Sequence, residues 1–238
     1  MGDSNLISEK KFAAAFASFW RTALPLSDSF IRTLNTQRQK YTQPLDSNLP
    51  SEHNAYVSEL GFRIFSALHI EPQGTKLRLK ALATLEKETQ DYIQSISNTK
   101  AATPSKTTRD LAYILAERIA LFFKKNEHSN RLVISPGFEG CGIIDPCFGD
   151  VLCGDTLWEI KNVDRDFRAV DIRQLLTYAT LAKSAGRKDI HSIGLLNAKQ
   201  GFFIQQSIET VALETAQLSG SELLAGIAQF ISTEQISR

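Results

Sequence analysis

The chain has 238 residues, 42% apolar and 22% charged, and its 27 basic and 26 acidic side chains leave a net charge of +1. That length supports one large domain or two small ones, and the composition is that of a globular chain, with no apolar run long enough to span a membrane. The near-balance of charge argues against a tight, autonomous DNA-binding protein but leaves room for a local basic patch. The segment Met1 to Leu6 lacks the basic and apolar regions of a secretory signal and the hydroxyl residue of a myristoylation signal. A cytoplasmic protein without a membrane partner is expected. Three cysteines, Cys141, Cys147 and Cys153, sit in one short region without a Cys-x-x-Cys pair, so small buried thiols are expected rather than disulfides or zinc ligands.

The first hundred residues carry helical periodicity. Phe12, Phe16, Phe19 and Trp20 mark a helix over Ile7 to Leu24, stopped by Pro25. Tyr56, Leu60, Ile64, Phe65 and Leu68 mark a second over Ser51 to Ile70, and Leu82, Leu85, Tyr92 and Ile96 a third over Leu77 to Ile96. The polar, turn-rich stretch Ser97 to Lys106 reads as a linker. This predicts a helical N-terminal domain over residues 1–105, serving recognition, partner binding or homo-oligomerisation, followed by a second domain over 106–238.

In the second domain, Thr108 is placed to cap a helix running to about Lys125, with Leu111, Leu115, Ile119 and Phe122 as its buried stripe. Short strands follow at Leu132 to Ile134, Val151-Leu152 and Leu157 to Ile160. A helix over Val170 to Ser184, strands at Ile190 to Leu196 and Phe202 to Ile204, and a helix over Ser221 to Ile231 complete the chain. The mixture predicts an α/β (α+β) fold: a small mixed sheet flanked by helices.

The segment from Asp150 to Lys161 is the most informative. Gly154-Asp155 suits a two-residue type II′ hairpin turn, with glycine in the first central position. Such a turn pairs Cys153 with Thr156 and carries the register back until Asp150 stands opposite Glu159. Asp150, Leu152, Leu157, Glu159 and Lys161 then share one face, and Val151, Cys153, Thr156, Trp158 and Ile160 the other. Directly opposed residues have Cβ atoms about 4.5–5.5 Å apart, and like charges there destabilise the pair. A divalent cation would cancel that repulsion, because hard cations take oxygen ligands. Lys161 brings a positive charge to the same face. A register slip of one residue would undo this arrangement.

Gly149-Asp150 opening one strand, with Glu159-Ile160-Lys161 on the next, resembles the PD-(D/E)xK nuclease superfamily. The resemblance continues on the following helix, where Gln174 and Tyr178 reproduce the Gln-x-x-x-Tyr pattern of many members and share a helix face. It covers roughly residues 108 to 208, says nothing about the N-terminal helices, and implies a restriction-endonuclease-like αβββαβ core, which the helical periodicity of the first hundred residues places after an all-helical region. The implied activity is Mg²⁺-dependent hydrolysis of phosphodiester bonds in nucleic acid, DNA in preference to RNA, with Mn²⁺ able to substitute. Restriction or anti-phage defence is the implied setting. The implied metal ligands are Asp150, Glu159 and the backbone carbonyl of Ile160. Lys161 would orient or help deprotonate a water and offset charge on the phosphate. Gln174 would hold a phosphate or water, and Tyr178 would brace Lys161 or contact the nucleic-acid backbone.

Competing readings stand beside these. The hairpin could be a solvated surface feature, or the chain a catalytically silent subunit that binds nucleic acid or acts as a scaffold. Glu117 is a candidate extra metal ligand on the first core helix, but it falls opposite the apolar stripe, where solvation is expected. Asp145, followed by Pro146, is the rival to Asp150. His191 is a candidate base without a visible partner. Arg165, Arg168 and Arg173 form either a phosphate-contact patch or ion pairs with the interleaved Asp164, Asp166 and Asp171.

Overall fold

A computed structural model of the chain describes residues 6–45, 51–70, 79–96, 104–126 and 132–234. Its first helix, α1 (Glu9–Ala15), is capped by Ser8, whose hydroxyl accepts from the Lys11 amide. The helix predicted to continue to Leu24 breaks at Phe16, and α2 (Ala17–Ala23) follows as a separate segment. The Trp20 indole N–H donates to the Phe12 carbonyl across that break, at 3.0 Å. Past Pro25 come α3 (Ser27–Thr36) and a two-residue strand, β1 (Gln39–Lys40). The helices α4 (Ser51–Ile70), α5 (Leu79–Ile96) and α6 (Lys106–Asn126) follow. The cap of α6 is Ser105 rather than Thr108: its Oγ accepts from the Thr108 amide at 3.1 Å, while Thr108 itself is buried.

The remaining elements are β2 (Leu132–Ile134), β3 (Gly137–Phe138), β4 (Cys147–Phe148), β5 (Val151–Cys153), β6 (Thr156–Lys161), α7 (Ala169–Ser184), β7 (Ser192–Asn197), β8 (Phe202–Ser207), α8 (Ile208–Ala216) and α9 (Gly220–Thr233). Among the described residues they build one mixed six-stranded sheet, in the order β1-β8-β7-β6-β5-β2, and a separate β3-β4 pair. Every pairing in the large sheet is antiparallel except β6 with β7, which α7 connects as a parallel crossover.

Strand alternation divides the interior into two layers. Leu152, Leu157, Ile193 and Leu195 face α7, α9 and the N-terminal helices, whereas Val151, Trp158, Leu196 and Phe203 face α4 and α6. The N-terminal segments therefore lie on both sides of the sheet. Phe12, Trp20 and Leu24 join the first layer, Leu60, Ile64 and Phe65 the second, and β1 pairs with β8. This corrects two expectations. Residues 1–105 are not all helical, and among the described residues they share both hydrophobic layers with the rest of the chain rather than forming a core of their own. Helical periodicity reports that a face is buried, but not what buries it. The predicted linker falls mostly outside the described residues. No helix among them is long and apolar enough to cross a membrane.

Gly194 shows how tightly the strands fit. A Cβ at this position would lie 2.3 Å from the Trp158 ring, beside it in the parallel pair. Gly194→Ala is expected to destabilise the fold by about 1–3 kcal/mol through overpacking, read as a lower urea midpoint at unchanged m-value.

Candidate active site

The β5-β6 hairpin has the predicted register. Cys153 pairs with Thr156, Leu152 with Leu157 and Val151 with Trp158. Gly154 has φ +61°, and Asp155 is not among the positive-φ residues, as a type II′ turn requires. Asp150 sits just before β5, and its Oδ2 accepts from the Ile160 amide at 2.7 Å. That bond ties the start of β5 to the end of β6 and leaves the second oxygen of Asp150 for another partner. Glu159 is buried. Its Oε1 accepts from Lys161 Nζ at 3.0 Å, whereas its Oε2 is enclosed and has no hydrogen-bond partner among the described residues.

Beyond β6 the network passes to α7. Lys161 Nζ also donates to Gln174 Oε1 at 3.1 Å and lies 3.5 Å from Asp171 Oδ1. Since an ammonium only donates, it fixes the Gln174 amide with its NH₂ group turned away. That NH₂ donates to Tyr178 Oη at 3.1 Å, and the Tyr178 hydroxyl donates to Glu9 Oε1 at 3.0 Å. Four side chains from β6, α7 and α1 thus form one directional relay, Lys161 to Gln174 to Tyr178 to Glu9, in which each bond polarises the next. Gln174, Tyr178 and Glu9 are all buried. Tyr178 does not touch Lys161 directly as predicted; Gln174 stands between them.

Charge is unevenly balanced here. Arg165 holds Asp171 through two bonds, of 2.8 and 3.2 Å. Burial would raise the Asp171 pKa, but Arg165, Lys161 and the Arg168 amide outweigh it, and the carboxyl lies below its ordinary range. Burial works against the Lys161 charge, yet Glu159, Asp171 and Asp150 overcome it and raise the ammonium's pKa. Asp150 has no comparable partner. Burial and the neighbouring Glu159 raise its pKa to about 8, against lesser opposing effects of the Ile160 amide, Lys161 and Lys10. Burial also pushes the Tyr178 hydroxyl above its ordinary range, helped by Glu159 and Glu9, so it remains a neutral donor.

Asp150, Glu159 and Ile160 open onto a cavity of about 280 Å³, walled by Lys10 of α1, Ser58 and Phe62 of α4, Tyr92 of α5 and Asn162. The other predicted candidates lie elsewhere. Glu117 is exposed on α6, and Asp145 is tied to Ile7 through its backbone amide. His191 is exposed and lines a different cavity, beside α7, α8 and α9. Of the three arginines, Arg165 is held by Asp171 and Arg173 lies over Trp20, whereas Arg168 caps α7 through its backbone and its side chain is exposed. Cys141, Cys147 and Cys153 are each half-buried rather than fully buried.

The chain matches no family model, no curated protein and no solved structure. The site is therefore read from its own geometry. Among the described residues, no three His, Cys, Asp or Glu side chains converge as a metal-binding group. Asp150 and Glu159 on one cavity, with Glu159 Oε2 lacking a partner among the described residues, are the residues that could hold a cation that keeps several waters and binds through one or two carboxylates, as Mg²⁺ does.

Sequence reasoning did not find Glu9, Lys10 or Asp171 as site residues. Glu9 and Lys10 reach the site only through the packing of α1 on α7 and the cavity wall, which no local pattern records. Asp171 did carry a signal, as an acid in the first turn of the helix bearing Gln174. Replacing Glu9 by Ala leaves the Tyr178 hydroxyl without its acceptor and is expected to cost about 1–3 kcal/mol. Glu9→Gln, which keeps a carbonyl oxygen there, is expected to cost less than half as much in the same urea titration.

Proposed function

We propose that this chain is a divalent-cation-dependent nuclease whose reacting phosphate enters beside Asp150, Glu159 and Lys161. One observation carries the reading: Asp150 and Glu159 line one cavity, a Glu159 oxygen has no partner among the described residues, and a clamped ammonium stands next to it. Burial, and after it the neighbouring Glu159, raises the Asp150 pKa. A divalent cation between the two carboxylates would offset the remaining repulsion when both are ionised. Apart from the separate β3-β4 pair inserted after β2, the order α6, β2, β5, β6, α7, β7, with the acid before β5 and Glu-x-Lys on β6, supports a restriction-endonuclease-like core. The burial of Gln174 and Tyr178 supports the Gln-x-x-x-Tyr resemblance.

On this reading Asp150 and Glu159 hold Mg²⁺ or Mn²⁺, with the Ile160 carbonyl and waters. The ion supplies Lewis-acid polarisation of the phosphate and a bound water of lowered pKa. Lys161 acts through its charge. Its raised pKa keeps it protonated at neutral pH, so it orients the attacking water and neutralises developing charge on the phosphate rather than accepting a proton. Gln174 positions Lys161, and Tyr178 and Glu9 position Gln174. Lys10, at the cavity wall, adds a second cation where an anionic backbone would pass. DNA is the favoured substrate by analogy with the superfamily.

Metal binding can be tested without catalysis. At a cation concentration near one hundred times Kd, binding to the folded state alone adds about 2.7 kcal/mol. For a chain of this size that raises the melting temperature by roughly 5–10 °C. Wild type should show this shift with Mg²⁺ and Mn²⁺, and Glu159→Gln should not. An unshifted wild type, or an equal shift in the variant, contradicts the proposal.

A further inference from the structure

A second cavity, of about 620 Å³, lies at the far end of α7 from the Asp150 pocket. Lys183 of its rim stands twelve residues after Asp171 on that helix, about 18 Å along it at 1.5 Å per residue. The walls are the end of α7, the loop into β7, and the first turns of α8 and α9. Ala182, Ile208 and Leu224 form an apolar floor anchored in the hydrophobic layer around α7. The mouth is open at Gly186, where a Cβ would meet nothing within 4 Å. A space of this size falls within the range of roughly 300–1,000 Å³ that suits one medium-sized organic ligand.

The polar groups of the rim are unevenly committed. The carbonyls of Ala182, Lys183 and His191 accept from the Arg187, Gly186 and Ile208 amides at 2.9, 3.0 and 2.9 Å. Glu209 Oε2 accepts from the Gly220 amide at 2.7 Å, and Asp189 holds Arg187 through bonds of 3.1 and 2.9 Å. Donors, in contrast, are still available. Lys183 Nζ donates to the Ser221 carbonyl at 3.0 Å and to the Ser221 hydroxyl at 2.8 Å, which uses two of its three protons. Because an ammonium only donates, Ser221 Oγ is the acceptor there and keeps its own proton. One proton of Lys183 and one of Ser221 thus remain side by side on an exposed rim, where a ligand reaches them. Lys188 and His191, also exposed, bring further N–H donors to the same cavity.

We propose that this cavity binds an amphiphilic oxyanion. A carboxylate or phosphate-monoester head accepts from Lys183, Ser221 and Lys188, and an apolar body lies over Ala182, Ile208 and Leu224. Spare donors and cations above an apolar floor match such a ligand at both ends. Charge-assisted hydrogen bonds hold the head, and burial away from water holds the body. A ligand that is apolar throughout would leave the donors unused, and a cationic one would meet Lys183 and Lys188. The site shares no residue with the Asp150 pocket, so it stands or falls apart from the nuclease reading.

Amide shifts in ¹H–¹⁵N NMR titrations, run in EDTA, locate the ligand and measure its affinity. Octyl phosphate, octanoate, 1-octanol, octylammonium and inorganic phosphate serve as probes, and the tighter of the two octyl anions identifies the head group. A charge-assisted hydrogen bond is equivalent to about a tenfold gain, so that anion is expected to bind at least tenfold more tightly than 1-octanol or inorganic phosphate. Affinity for alkyl phosphates should rise about three- to fourfold per methylene from butyl to octyl, as burial of the chain requires. The largest shifts should fall at Gly186, Gly220 and Ser221, not at Ile160 and Asn162. Lys183 is exposed, so Lys183→Met should keep the wild-type urea midpoint while binding the anion about tenfold more weakly. No saturable shift with any probe, equal affinity for the octyl anions and 1-octanol, or equally tight binding of octylammonium would overturn the proposal. So would shifts confined to Ile160 and Asn162, or wild-type affinity in Lys183→Met.

Discussion

Replacing Lys161 by Ala is expected to lower the rate of phosphodiester cleavage by at least 10²-fold and to destabilise the fold at the same time. The rate loss follows from removing a fixed positive charge at the place where charge develops on the phosphate; comparable preorganised donors contribute 10²–10³ in rate. The stability loss has a separate origin. Lys161 is 16% exposed and is the hydrogen-bond partner of Glu159, which is 6% exposed, and it also neighbours Asp171. Removing it leaves a buried carboxylate without its cation, which costs about 3–5 kcal/mol for an enclosed pair. Asp171 retains Arg165 and limits the damage on that side. Lys161→Met keeps most of the volume and tests charge against packing: it should lose as much activity as the alanine variant and recover part of the stability. Urea unfolding in EDTA and a single-turnover cleavage rate would separate the two effects.

Asp150→Asn is expected to abolish cleavage and metal-induced stabilisation while making the metal-free protein less sensitive to alkaline pH. In the folded state Asp150 holds its proton up to about pH 8, whereas in the unfolded chain it ionises near 4. Between those values the folded form binds one proton more than the unfolded form, so stability falls as pH rises, by at most about 1.4 kcal/mol per pH unit. Asparagine cannot ionise, and its side-chain oxygen can still accept from the Ile160 amide. Urea titrations in EDTA at pH 5, 6.5 and 8 should therefore show wild type losing on the order of 3–4 kcal/mol relative to Asp150→Asn across the series. A constant difference between the two proteins would contradict this account of the pocket. The same sign governs the metal: binding below pH 8 must expel the Asp150 proton, so apparent affinity should rise with pH by up to tenfold per unit and level off above about 8.

The hairpin was legible in the sequence because its register follows from two residues. Gly154 accepts the positive φ of the turn, and once Cys153 pairs with Thr156 every later pairing is fixed. Glu159 and Lys161 thereby fall on the face of β6 that meets α7, where Gln174 waits four residues before Tyr178. The partners of that relay were not legible. Glu9 lies 169 residues from Tyr178 in the chain, and α1 reads as an ordinary amphipathic helix until it packs against α7. The domain boundary failed for a related reason: apolar stripes on α1 and α4 say that something covers them, but not that opposite faces of the same sheet do. The short strands β1, β3 and β4 have too few residues to display alternation. The helix α8 has only nine residues to display a stripe, and its clearest local signal is the Ser207 cap, whose hydroxyl accepts from the Thr210 amide at 2.9 Å. The arginines were ambiguous because charges spaced along a loop can face a ligand or each other, and here Asp171 takes Arg165.

On the proposed reading, Asp150 and Glu159 would hold a cation next to Lys161, and phosphodiester bonds would be hydrolysed there. The most direct measurement is incubation of single-stranded and supercoiled circular DNA with purified protein in Mg²⁺, in Mn²⁺ and in EDTA, alongside Asp150→Asn and Lys161→Ala. The expected result is linear or nicked products with either cation, none in EDTA, and at least 10²-fold slower cleavage in both variants. Cleavage that persists in EDTA, or that both variants retain at the wild-type rate, would contradict it.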